Sequence, residues 1–270
     1  MADDNARIVV KIGGNALGPE DTTFQDLVAA QRQGAQPVVV HGGGPLITQW
    51  LDLLGVESRF VRGLRVTNDA ALDVVTAVLC GLVNTRIVAA LGAAGGRGVG
   101  LTGADGAVIA AEARDADLGR VGEVSAVQTD LIVGLLHHDF IPVFSPVCAD
   151  AANPGALLNV NADSVAGALA GALAAERVIF LTDVPGVLDR DGRVIPTLTE
   201  AQTRELIEEG VIAGGMIPKV TACLNALAHA WTAQIIDGRA PRALRDALTS
   251  GGGTRITRQG ERIASAGATA

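Results

Sequence analysis

The chain has 270 residues, 49% hydrophobic but only 3% aromatic, with no tyrosine and a formal net charge of −8. This length suits one large α/β domain or two intimate halves, with a core built from Val, Leu, Ile and Ala. An acidic chain poor in aromatics and without a basic tail excludes a stacking nucleic-acid reader and an anionic-membrane binder, yet leaves room for a local basic site that takes a phosphorylated small molecule.

The first residues, MADDNARIVV, lack the basic start and apolar run of a signal peptide. No stretch of about 18 uncharged apolar residues is seen, so a cytoplasmic protein is expected. Arg7–Ile12 reads as a strand, 23–33 as a helix, 37–41 as a buried strand, and 45–54 as a helix with Pro45 in its first turn. A long helix is predicted over 68–91, opened by an Asn-Asp cap signal. Residues 99–128 are short runs split by Gly and Asp and read as hairpins. Then come a helix over 131–138, a strand over 140–147, an Ala-rich helix over 163–175 and a strand at Arg177–Thr182. Residues 187–195, with Asp191-Gly192, read as another hairpin. Helices over 200–209 and 216–229, a strand over 233–236, a helix over 241–248 and a strand at Thr254–Thr257 close the chain. Strands alternating with helices imply a mainly parallel sheet covered on both faces.

Three glycine-rich turns follow strands: Lys11-Ile12-Gly13-Gly14-Asn15, His41-Gly42-Gly43-Gly44-Pro45 and Asp183-Val184-Pro185-Gly186-Val187. Ligands of open α/β sheets gather at the carboxyl ends of strands, and glycine there lets backbone N–H groups approach an anion. Any one such turn can be an ordinary tight turn; two near the start of the chain, one beside a lysine, point to a phosphate site. There is no Walker A motif. The GxGxxG match at Gly98–Gly103 is preceded by Gly and Ala and followed by no helix start, so it reads as a hairpin and lends little to a nicotinamide-binding reading.

Lys11 and Lys219 are the only lysines, against nineteen arginines. Compositional bias toward Arg explains part of that; a compact, mobile ammonium also suits a phosphoryl group in motion. Asn159-Val160-Asn161-Ala162-Asp163 precedes the Ala-rich helix, where a cap needs one polar residue, not three. Arg65, in Gly63-Leu64-Arg65-Val66-Thr67, is either an exposed loop arginine or a clamp on a carboxylate. Cys80, Cys148 and Cys223 show no metal-ligand spacing and read as small buried hydrophobes in a reducing compartment. His41 reads as structural.

KIGGNA from Lys11, HGGGP from His41, GLRVT from Gly63, GEV from Gly122, NVNAD from Asn159, LTDVPGVL from Leu181 and GGMIPKV from Gly214 together resemble the amino acid kinase superfamily, and within it the N-acetylglutamate kinases. The resemblance spans nearly the whole chain, in the family's order. It implies a three-layer αβα sandwich around a mainly parallel sheet of about eight strands. It implies transfer of the ATP γ-phosphoryl group to the γ-carboxylate of N-acetyl-L-glutamate in arginine biosynthesis, with Mg²⁺. It also implies a homodimer built on the long helix after Asn68, an acceptor-binding half over 1–175 and an ATP-binding half over 176–270.

By the same resemblance Lys11 and Lys219 are catalytic and Asp163 organises them. Gly13 and Gly14 hold phosphate; Gly43, Gly44, Arg65 and Asn159 hold the acceptor. Asp183-Val184-Pro185-Gly186-Val187-Leu188 and Val211-Ile212-Ala213 hold the nucleotide. No metal-ligand set is expected in the chain itself. Six residues precede Arg7, too few for the extra N-terminal helix of arginine-inhibited hexamers, so an arginine-insensitive dimer is expected. A sister kinase acting on an aminoadipate-type carboxylate and a non-catalytic effector-binding paralogue are the competing readings. Retention of both lysines with Asp163 argues against the second.

Overall fold

The computed structural model describes residues 6–14, 17, 20–228 and 230–258. Asn15 and Ala16 of the first glycine turn and the expected helix end at His229 lie outside them. In chain order the elements are β1 (Arg7–Ile12), α1 (Thr23–Arg32), β2 (Gln36–His41), α2 (Gly44–Leu53), β3 (Phe60–Val61), β4 (Leu64–Arg65), α3 (Asp69–Thr76), a π-helical segment (Ala77–Val83) and α4 (Asn84–Ala93). Next are β5 (Gly98–Thr102), β6 (Ile109–Ala113), β7 (Val121–Val127), α5 (Asp130–His137), β8 (Ile141–Ser145), β9 (Val147–Asp150), β10 (Leu157–Val160) and α6 (Ala162–Ala172). The last are β11 (Arg177–Thr182), β12 (Thr197–Thr199), α7 (Glu200–Glu208), α8 (Met216–Leu227), β13 (Thr232–Asp237), α9 (Ala243–Thr249) and β14 (Thr254–Thr257).

Eight strands form one sheet in the order β12-β14-β13-β11-β1-β2-β8-β5. Its pairs are parallel except β13 with β14. Because the sheet is buried on both faces, the central strands are continuous apolar runs whose side chains alternate between two cores. Val9, Val38, Val40, Val178 and Phe180 belong to the core under α6 and α8. Ile8, Val10, Ile12, Val39, Ile179 and Leu181 belong to the opposite core, shared with α1, α4 and α9. This is the expected three-layer sandwich, and the parity of each strand decides on which face its end residues emerge.

Four strands, β10-β7-β6-β9, close a small barrel beside the sheet. Here the sequence reading needs correction. β6 and β7 are the expected antiparallel pair, but Gly98–Thr102 is a parallel edge strand of the main sheet, not part of a hairpin. Its glycines serve packing. A Cβ on Gly98 would lie 3.1 Å from Leu91 Cδ1, and one on Gly100 would lie 2.0 Å from Asn84 Oδ1, so α4 rests directly on the strand. The single strand expected over 140–147 is two, β8 in the sheet and β9 in the barrel, divided at Pro146, which cannot continue a ladder as donor. The hairpin expected over 187–195 reduces to one bridge, Leu188 to Val194.

The long helix after Asn68 is present, with the Asn68 side chain accepting from Ala71 N at 2.8 Å as its cap. It is continuous from Asp69 to Ala93 but widens to π-helical geometry at Ala77–Val83. It is the one helix among the described residues long and apolar enough to cross a membrane by length and composition. The expectation of no uncharged apolar span stands only because Asp73 and Arg86 interrupt it.

Candidate active site

Lys11 lies on the same face of β1 as Val9, the α6 side, and sits opposite Phe180 in the register with β11. Asp163 is the second residue of α6, which packs over β1. Strand parity and helix position therefore bring the two together: Lys11 Nζ is 2.8 Å from Asp163 Oδ1. Asn161 is the cap, its Oδ1 accepting from Asp163 N at 2.7 Å and Ser164 N at 3.3 Å. That leaves the flanking Asn159 and Asp163 side chains for other partners, which answers why three polar residues stand where a cap needs one.

Helix α8 packs closely on α6: a Cβ on Gly167 would meet Ala226 Cα at 3.3 Å. This contact carries Lys219, in the first turn of α8, to Asp183 just after β11, with Nζ 3.4 Å from Oδ1. A cavity of about 220 Å³ is lined by Lys11, Gly13, Gly14, Asp163, Asp183 and Lys219, together with the end of β11. The first glycine turn is anchored by Gly13 N donating to Leu181 O at 3.1 Å. Gly14 is tight against the second turn, where a Cβ would fall 2.7 Å from Pro45 Cδ. Two ammonium groups, glycine backbone and two carboxylates that orient the lysines thus face one space. Such an arrangement suits an anionic group such as a phosphoryl; among the described residues it contains no histidine or thiol to act as a base or nucleophile.

A second group of predicted residues assembles beside it. Arg65, 7% exposed, donates through Nη2 to Gly44 O at 3.2 Å and Thr48 Oγ1 at 2.8 Å, and through Nη1 to Ser58 Oγ. Its guanidinium lies 4.5 Å over the Phe60 ring. All these partners are neutral, and burial lowers its pKa from the usual arginine value. Asn159 Nδ2 donates to Thr67 Oγ1 at 3.1 Å, and Thr67 Oγ1 donates to Arg65 O at 2.9 Å. Gly43 is pressed against the π-helical segment, where a Cβ would be 2.7 Å from Leu79 Cδ2.

Val184, Pro185, Gly186, Val187 and Leu188 run away from the cavity toward β14. Val187 N donates to Thr254 Oγ1 at 2.8 Å, and Gly186, at φ 144°, has Thr254 N only 3.0 Å from where a Cβ would stand. Val211, Ile212 and Ala213 precede α8; Ile212 is buried, and Ala213 O accepts from Met216 N at 3.2 Å. Neither stretch lines the lysine cavity apart from Asp183. Sequence reasoning missed Thr48, Ser58 and Thr67, whose hydroxyls fix Arg65 and Asn159, and Thr182, whose Oγ1 donates to Ile236 O at 3.1 Å beside Asp183. The Thr closing the β11 run RVIFLT was the available signal.

Residues 6–237 match the model of the amino acid kinase family. The chain belongs to the amino acid kinase family. Among relatives of this kinase, the acetylglutamate kinase of Dehalococcoides mccartyi is 44% identical over 94% of this chain and 96% of its own length. That of Oleidesulfovibrio alaskensis is 46% identical, over 93% and 90%. Among solved structures, smu.665 from Streptococcus mutans UA159 superposes with a TM-score of 0.79 at 32% identity, covering 93% of this chain and 98% of that one. A carbamate kinase from Giardia lamblia bound to AMP-PNP shares the kinase fold at 17% identity and a TM-score of 0.69, covering 95% of this chain and 99% of that one.

Proposed function

We propose that this kinase transfers the γ-phosphoryl group of ATP to the γ-carboxylate of N-acetyl-L-glutamate in arginine biosynthesis. The observation that carries the reading is the pairing of Lys11 with Asp163 and of Lys219 with Asp183 around one cavity floored by Gly13 and Gly14. It occurs in a chain 44–46% identical to acetylglutamate kinases over most of its length.

The acceptor carboxylate has a reference pKa of about 4.3 and is already ionised at neutral pH, so no general base is needed. The obstacle is anion–anion repulsion and the charge on the transferring group. In this reading Lys11 and Lys219 neutralise that charge, glycine amides of the two turns position the oxygens, and Asp163 holds Lys11 in place. Arg65 supports the acceptor role: its hydrogen-bond partners are all neutral and the Asp52 carboxylate offsets its burial only in part, so a ligand anion such as the acceptor's α-carboxylate would complete it. Asn159 would receive the acetamido group.

ATP would lie against Asp183–Leu188 and residues 211–213. Mg²⁺ suits this arrangement because magnesium is commonly held by one or two carboxylates plus substrate phosphates. Asp163 and Asp183 are the cavity's two carboxylates, and no cluster of three metal-ligating side chains occurs among the described residues. When bound, the ion neutralises phosphate charge. The division near residue 175 is then functional, acceptor side before it and nucleotide side after it, across a continuous sheet. A homodimer through the helix Asp69–Ala93 and a cytoplasmic location complete the proposal.

The test is ATP turnover with N-acetyl-L-glutamate, trapping the acyl phosphate as hydroxamate, in wild type and Lys219→Ala. Hydroxamate that falls at least 100-fold in the variant is expected, the scale of losing one transition-state charge donor. No hydroxamate from folded wild type, with turnover of an aminoadipate-type acceptor instead, would reassign the substrate; silence with both would leave a binding role.

A further inference from the structure

His41 ends β2 and is 1% exposed, yet it does not line the cavity around Lys11. Its parity places it with Val39, on the α4 face of the sheet, whereas Lys11 is on the α6 face. Both ring nitrogens are engaged. Asn84 Nδ2, at the start of α4, is 3.1 Å from His41 Nε2 and 2.9 Å from Val143 O, and His41 Nδ1 is 3.0 Å from Gly42 O.

These contacts determine where the protons are. Val143 O can only accept, so the Asn84 atom beside it must be the amide nitrogen, which has two protons and no lone pair to share. One proton goes to Val143 O and the other to His41 Nε2, which must therefore accept. Burial lowers the His41 pKa to about 4, so the ring is neutral at physiological pH. A neutral imidazole accepting at Nε2 carries its proton on Nδ1. Nδ1–H therefore donates to Gly42 O.

A planar trans peptide points its N–H away from its C=O. With Gly42 O turned toward His41, the N–H of Gly43 is turned away from the His41 ring. Gly43 N–H has no hydrogen-bond partner among the described residues. The surroundings are shaped around this network. Gly100 leaves Asn84 Oδ1 the space a side chain would fill, and Leu79 and Val83 back Gly43 at 2.7 and 3.3 Å from its would-be Cβ.

We propose that His41, held by Asn84, is a positioning residue that fixes the Gly42–Gly43 peptide so that the Gly43 amide faces the transferring phosphoryl group. The proposal deepens the phosphotransfer reading and rests on it for the role of that amide. An unfixed peptide could flip and present a carbonyl to an anion. The loss would then appear in the transition state rather than in nucleotide binding.

The experiment combines histidine-selective ¹⁵N NMR of the intact protein with kinetics of His41→Leu, His41→Asn and Asn84→Leu. With four histidines in the chain, the His41 ring can be assigned by difference. Protonation at Nδ1 is expected in wild type, with the ring state altered in Asn84→Leu. His41→Leu is expected to lower kcat roughly 10- to 100-fold while the KM for ATP moves less than about 3-fold. His41→Asn, whose amide nitrogen can stand where Nδ1 stood, should recover most of kcat. A wild-type ring protonated at Nε2, an unchanged kcat in His41→Leu, or an Asn variant as impaired as the Leu variant would each overturn the proposal. If His41→Leu does not fold, the ring state and the Asn variant still decide. Absence of hydroxamate from wild type would overturn the acceptor assignment, and the NMR result would then judge the peptide geometry by itself.

Discussion

At the scale of single residues, buried charge is the most informative feature. Arg65 is packed under Phe60 and reaches only neutral oxygens. A ligand carboxylate would complete a charge-assisted, bidentate fork that an ammonium cannot reproduce. Arg65→Lys is therefore expected to raise the KM for N-acetyl-L-glutamate by about 10- to 100-fold, equivalent to roughly 1.4–2.7 kcal/mol, with the KM for ATP nearly unchanged. Steady-state kinetics with each substrate varied separately checks this; equal effects on both would place Arg65 outside the acceptor site. His41 gives a pH prediction. Its folded-state pKa of about 4 lies below the ordinary 6.5, so the unfolded chain binds a proton more readily. Stability from the neutral ring is fully present above pH 6.5, is lost as pH falls toward 4, and is gone below it. Urea unfolding should show wild type losing on the order of 3 kcal/mol relative to His41→Asn between pH 7 and 4. Parallel curves would refute it.

At the scale of elements, the legible parts were those whose pattern is local. Strands β1, β2 and β11 are β-branched runs closed by polar or glycine-rich residues; Lys11 and Lys219 stood out because the chain has only two lysines, Gly13 and Gly14 as a glycine-rich turn, and Asp163 through the polar run before α6 and the family resemblance. The sequence did not reveal partners set by packing: the division of 140–147 between sheet and barrel at Pro146, the closed barrel itself, or the hydroxyls of Thr48, Ser58 and Thr67 around Arg65. The glycines of 98–103 illustrate the difference. They looked like turn residues, but Gly98 and Gly100 lie where α4 rests against β5, and Gly103 lies against Cys148 and Ile109 of the barrel strands, contacts that no local pattern records. Gly100→Ala should accordingly cost about 2–4 kcal/mol, since its Cβ would stand 2.0 Å from Asn84 Oδ1. Gly134, exposed in the interior of α5 with nothing within 4 Å of a would-be Cβ, should behave oppositely. Gly134→Ala should stabilise by about 0.5–1 kcal/mol. Thermal unfolding of the two variants separates packing glycines from merely permissive ones, and a neutral Gly100→Ala would contradict the close α4–β5 contact.

At the scale of the whole molecule, the helix from Asp69 to Ala93 lies between the proposed dimer face and the second glycine turn. Only 39% of its most apolar stretch is buried within the chain. Asp73, Ala77, Gly81, Thr85 and Ala89 are exposed and follow a four-residue spacing, which places them along one side of the helix. Small residues on such a side allow a second helix to approach closely, and a second copy of this chain would supply it by two-fold symmetry. The buried side of the same helix carries Leu79 and Val83 behind Gly43, and Asn84 behind His41. A dimer formed here would therefore brace the second glycine turn in both subunits. Replacing Ala77 and Gly81 together by arginine is expected to yield monomers by sedimentation velocity, because like charges would meet their own copies across the two-fold axis. The monomer should keep its fold by circular dichroism but lose kcat more than ATP affinity, since what slackens is the support behind Gly43. A variant that remains dimeric would move the interface elsewhere; a monomer with full kcat would show that the helix supports the glycine turn without a partner.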